Sequence, residues 1–175
     1  TTTSSANNFY FDDFVADYYL YRDEDGMSKM MVVEELLAVF PTYSQNHGIT
    51  RVIPFTNNDG KNLTMESDNT IYMHVERNEV DENVEKVEIG DGNFIVYIGD
   101  PDKYVTGEQL YTLIYEFQNV TLDHEQDGKR FQELYWDSNG NDWKQRFNSV
   151  VARIHLDNAI ANKFTGDTSC YIGKY

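Results

Sequence analysis

Hydrophobic side chains recur at every second position along most of this chain. In "NTIYMHVERN", Ile71, Met73 and Val75 alternate with Tyr72, His74 and Glu76, the period of a strand with one wet face. "GNFIVYIGD" repeats the pattern, and "GEQLYTLIYEF" places Tyr111, Leu113, Tyr115 and Phe117 on one face. "SVVARIHL" sets Val150, Ala152, Ile154 and Leu156 against Val151, Arg153 and His155. Near the start, the runs Phe9 to Tyr21 and Met27 to Phe40 flank the acidic turn "RDEDG" and read as a hairpin. The second run is rich in Met, Glu and Leu, yet Val32-Val33, the preceding Asp-Gly and the following Pro41 favour a strand. One stretch departs from alternation. In "GKRFQELYW", Phe131, Leu134 and Tyr135 fall at i, i+3 and i+4, which predicts a short helix over 129–136.

Short strands separated by Asp-Gly, Asn-Asp-Gly and Gly-Asp turns predict an all-β fold, an immunoglobulin-like antiparallel β-sandwich with one short helix. A chain of 175 residues has the length of one domain. Residues 1–8 are small and polar and read as a flexible N-terminal tail, residues 9–156 as the sandwich, and residues 157–175 as a C-terminal extension. No internal repeat or heptad interrupts this division.

Composition sharpens the picture. Thirteen Tyr, ten Phe and two Trp favour pleated, half-buried surfaces. A net charge of −16 sets the surface field against phosphate backbones, so nucleic-acid binding is excluded as a leading function. No apolar run reaches the ~20 residues that span a bilayer, and "TTTSSANN" lacks the basic and apolar regions of a signal peptide. Cys170 is the single cysteine and has no partner within the chain. The sequons at Asn62 and Asn119 are short enough to arise by chance.

Candidate chemistry is thin. "ELYWDSNGNDW", residues 133–143, places Asp137, Asn139 and Asn141 at alternate positions, like the first three ligands of a calcium loop. Asp142 then stands where the sharp turn needs glycine, and Asn148 where a bidentate glutamate belongs, so a structural turn is the stronger expectation. Trp136 and Trp143 bracket the stretch. Trp136, beside Leu134 and Tyr135, reads as a core anchor, and Trp143 is a weak candidate for stacking on a ligand. His47, His74, His124 and His155 are far apart, and no GxSxG, HExxH or CxxC is present. Asp91, Asp100, Asp102 and the turn "DHEQDG" are loop acids with no evident pairing. No cofactor is expected. Alternation puts Glu34 on the face of Val32, Leu36 and Phe40. A buried carboxylate there must be paired or protonated, and Arg51 is the expected partner, with Glu35 inward as the rival phase.

Three stretches in order, "HGITRVIP" at 47–54, "YIGDPDKYVTGEQLYTLIYEF" at 97–117 and "ELYWDSNGNDW", resemble a bacterial family of predicted membrane proteins known as domain of unknown function 2207. The resemblance spans roughly residues 10–156 and implies that Glu34 and Arg51 both belong to the family pattern. It also implies an extracellular domain at the outer face of the cytoplasmic membrane, with transmembrane helices further along the parent protein and no established activity. The function expected on this basis is non-catalytic cell-surface interaction or assembly with a protein or cell-wall partner. The alternatives are a carbohydrate- or cell-wall-binding module, and a hydrolase with paired carboxylates.

Overall fold

The computed structural model describes residues 5–54, 73–140 and 143–172. Eleven strands are found among them: β1 (Tyr10–Arg22), β2 (Ser28–Phe40), β3 (Gly48–Pro54), β4 (Met73–Arg77), β5 (Val80–Asp81), β6 (Val84–Gly90), β7 (Asn93–Gly99), β8 (Gly107–Gln118), β9 (Thr121–Gln126), β10 (Lys129–Leu134) and β11 (Phe147–Leu156). A single helical turn, α1 (Asn158–Ala161), follows, capped by the Asp157 side chain.

The strands form a six-stranded sheet ordered β11-β1-β2-β8-β4-β5, a three-stranded sheet ordered β3-β7-β6, and the β9–β10 ribbon. Alternation explains the layers. Phe14, Tyr18, Val32, Leu36, Leu113 and Phe117 are buried on the large sheet, and Ile49, Ile53, Val96 and Ile98 on the small one, and all belong to one core. The all-β expectation therefore holds, and the β1–β2 hairpin forms where the sequence placed it. Its turn closes with the Met27 N–H donating to the Asp23 carboxylate at 2.8 Å.

Two expectations are corrected. Residues 129–134 are a strand, not a helix, because Asp127 and Gly128 both adopt positive φ. That is the two-residue turn whose twist matches a hairpin, and it folds Lys129–Leu134 back antiparallel onto β9. The helical spacing of Phe131, Leu134 and Tyr135 is coincidental, since Phe131 stacks on His124 at the surface rather than entering the core. Nor is the fold wholly antiparallel. β1 and β11 run parallel, with Phe11 level with Phe147 and Leu20 level with Leu156. The predicted strand in residues 69–78 is present as β4, although Ile71 and Tyr72 lie outside the described residues, as does the Asn62 sequon.

Candidate functional site

The three sequence motifs converge on one corner of the molecule. "HGITRVIP" becomes β3, and "YIGDP" ends β7, with Gly48 directly opposite Gly99. Beyond that pair, His47 Nδ1 lies 3.0 Å from the Lys103 carbonyl oxygen and its ring packs on Tyr104. The third motif is attached through Arg51.

Arg51 points from β3 into the core and is 1% exposed; Glu34, facing it from β2, is 0% exposed. Glu35, the rival, points outward and is exposed. Arg51 Nε donates to Glu34 Oε2 at 2.9 Å, and Nη2 donates to Oε1 at 2.7 Å. Nη2 also donates to the Ser138 carbonyl at 3.3 Å, and Nη1 donates to the carbonyls of Val52 and Asn139 at 2.9 and 3.0 Å. A guanidinium has five N–H bonds, and all are used. The Tyr115 hydroxyl donates to Glu34 Oε1 at 2.7 Å. Burial first, and the Glu34 charge second, push the Tyr115 hydroxyl well above its ordinary pKa, so it stays a neutral donor. The same two causes raise Tyr18, whose hydroxyl donates to the Ser138 carbonyl at 3.1 Å. Burial alone would lower the Arg51 pKa, but the Glu34 carboxylate and its hydrogen bonds outweigh it and hold the guanidinium above its usual value.

This network fixes the segment read as a calcium loop. The carbonyls of Ser138 and Asn139 face a buried cation already, and Trp143 Nε1 donates to the Asn139 carbonyl at 2.5 Å. A metal ion among them would meet the guanidinium at close range. Asp137 is exposed, the Asn139 carbonyl is taken by Arg51 and Trp143, and Asn141 lies outside the described residues. Gly140 has φ +73°, and a Cβ there would sit 2.9 Å from Arg51 Nη1. Only glycine meets both conditions easily.

Both tryptophans pack against the aromatic core. Trp136 packs against Tyr18 and Phe117 at ring distances of 6.2 and 5.4 Å. Trp143 lies edge-on to Phe11 and Phe147, with the Arg51 guanidinium 5.7 Å from its ring. One side of Trp143 also borders a groove of about 410 Å³ that all three motifs line, together with Phe9, Asn46, His47 and Tyr97. Among the described residues, Glu85 is the one carboxylate lining this groove. The adjoining recess beside Tyr10, Pro41 and Arg146 has none, so among the described residues neither concavity holds a carboxylate pair.

The remaining histidines pair with surface acids. His74 Nε2 lies 3.0 Å from Glu76 and 3.7 Å from Asp81, a grouping the β4–β5 hairpin makes by setting Glu76 opposite Asp81. Sequence reading missed it because Asp81 lies beyond the tight Asn78-Glu79 turn, where both residues have positive φ. These three ligand atoms are close enough to share an ion, but every residue of the group is solvated. His124 pairs with Glu133, and His155 with Asp17. Asp100 closes its own turn through the Asp102 N–H and Lys103, and Asp91 occupies the β6–β7 turn at φ 49°.

A family model described as the predicted membrane protein N-terminal domain, domain of unknown function 2207, matches residues 17–172. No curated protein matches the chain. No helix among the described residues is long and apolar enough to cross a membrane.

Proposed function

The chain belongs to this family of predicted membrane proteins, and from that premise we propose that it is a non-catalytic interaction or assembly domain held at the outer face of the membrane by its parent protein. One observation carries the proposal: at the convergence of the motifs the buried Arg51 guanidinium donates every N–H to groups of the chain itself. Arg51, Glu34, Tyr115 and the 138–139 carbonyls are arranged to hold four chain segments together, with no donor of Arg51 left for a substrate. An immunoglobulin-like comparison is part of the same proposal, supported by the strand order β1-β2-β8-β4 opposite a three-stranded sheet.

The groove supports a second proposal, a carbohydrate- or wall-binding site. Phe9, Tyr97 and Trp143 supply apolar walls, and the buried Gln45 Oε1, which makes no hydrogen bond among the described residues, supplies an acceptor. A thermal-shift screen of the domain against calcium, oligosaccharides and wall fragments separates the two, because any ligand of the native state raises its melting temperature. The leading proposal expects no shift from any of them, together with no turnover of glycoside, ester or peptide panels. A shift with wall fragments that is lost in Tyr97→Ala favours the groove, and reproducible turnover overturns both.

A further inference from the structure

The six-stranded sheet ends at β11, and among the described residues nothing pairs with its outer edge. Exposed edges in natural proteins are guarded by proline, bulges or charge. β11 contains no proline, and its register with β1 runs one for one from Asp13/Ser149 to Leu20/Leu156. Its arginine and histidine side chains are turned away from the edge: Arg153 Nη1 lies 3.0 Å, and His155 Nε2 2.6 Å, from the Asp17 carboxylate on β1. The apolar side chains stand outside instead. Val150 is 46% and Ile154 58% exposed, although both share the sheet face of buried Phe14 and Tyr18.

We propose that this edge is a strand-addition surface whose occupant is a second copy of the chain, with the two β11 strands antiparallel about a two-fold axis at Ala152. This rests on the interaction-domain proposal and names its partner. Residues directly opposite in an antiparallel pair lie on the same face. Centring on Ala152 sets Val150 against Ile154 of the other copy and Ala152 against itself, joining the two apolar strips, while Arg153 meets Val151. Centring on Arg153 would set two guanidinium groups face to face. Centring on Val151 would leave Ile154 against Asn148. The Ala152 register is thus the one that sets the two most exposed apolar side chains on this face of β11, Val150 and Ile154, against each other.

A single strand pair is a small interface and gives weak association in solution. Attachment to a membrane raises the effective concentration toward the millimolar range, where weak pairing is populated. The charge of −16 on each copy opposes approach, so added salt strengthens the dimer by screening.

The test uses the domain with Cys170→Ser, which removes its only cysteine. On oxidation, Ala152→Cys is expected to give a disulfide-linked dimer of twice the 20.4 kDa chain mass, since Cα atoms of directly opposed residues fall within disulfide reach. Val151→Cys, opposite Arg153, is expected to crosslink at least tenfold more slowly. Sedimentation equilibrium of the unmodified domain up to about 1 mM is expected to show mass rising with concentration and salt, and Ile154→Lys is expected to remain monomeric. Equal crosslinking at both positions, an unmodified domain that is monomeric throughout, or dimerisation of Ile154→Lys at the same concentration each overturns self-pairing. Binding of another protein's strand at this edge by a monomeric domain, blocked by Ile154→Lys, would also overturn it but keep the interaction proposal; hydrolytic turnover would instead overturn the interaction proposal.

Discussion

The centre of the molecule and its β11 edge break the usual rule of apolar inside and polar outside in opposite ways. At the centre, a carboxylate and a guanidinium are fully buried, yet every donor is satisfied. At the edge, Val150, Val151 and Ile154 face solvent with no covering partner among the described residues. The contrast teaches which exception to regard as structural. Buried ions cost desolvation free energy that good geometry offsets, so a complete network serves to fix one packing. Exposed apolar strips on an open edge have no such compensation and mark a surface that can gain from contact.

The largest expected effect breaks the centre. Arg51→Ala leaves Glu34 buried without its counter-ion and takes one donor each from the carbonyls of Val52, Ser138 and Asn139, and should cost ~3–5 kcal/mol in urea unfolding. The double variant Glu34→Leu/Arg51→Met should recover part of that loss. Full recovery would show that the contacts of Arg51 with Val52, Ser138 and Asn139 are unimportant. Gly140→Ala comes next, at about 1–2 kcal/mol, because it combines a left-handed backbone with a crowded Arg51 Nη1.

At the edge the effects are smaller. Hydrogen bonding from His155, opposed next by burial and then aided by the Arg153 charge, holds the Asp17 carboxyl below its usual 3.8. That contribution to stability is fully present above pH ~3.8 and is lost as pH falls through the lower folded value. Asp17→Asn should therefore flatten this acid limb, measured as melting temperature against pH, and loosen β11 in hydrogen exchange. Ile154→Lys should change monomer stability by less than ~0.5 kcal/mol, whatever it does to association. A large loss would mean that the edge belongs to the core after all.

Sequence alone revealed the strands whose two faces differ. β2 and β8 alternate cleanly because one side is core and the other solvent, and the same alternation put Glu34 inward opposite Arg51. It failed for β10, exposed along most of its length on both faces, where nothing in the side-chain period distinguishes strand from helix. The Asp127-Gly128 pair carried the information instead, as a hairpin turn. The alternation of β11 correctly separated Val150 and Ile154 from Arg153 and His155, but periodicity gives faces and not neighbours. Its parallel partner β1, and its place at the end of the sheet, depend on contacts more than a hundred residues apart in sequence. Within "DSNGNDW", the tether of Ser138 and Asn139 to Arg51, through main-chain carbonyls that every residue possesses, left no signature.

The parallel β1–β11 pair has a mechanical consequence. β1 enters the sheet at Tyr10, level with the start of β11, and β11 leaves it at Leu156, level with Leu20. A force applied between those two points drags neighbouring strands past each other along their length. The ladder bonds then share the load together, as in a lap joint, instead of parting one after another like a zipper, and the Asp17 contacts to Arg153 and His155 act as rivets across the seam. Pulled at its ends, the domain should yield at a higher force than when pulled across β9 and β10, whose hairpin opens from one side.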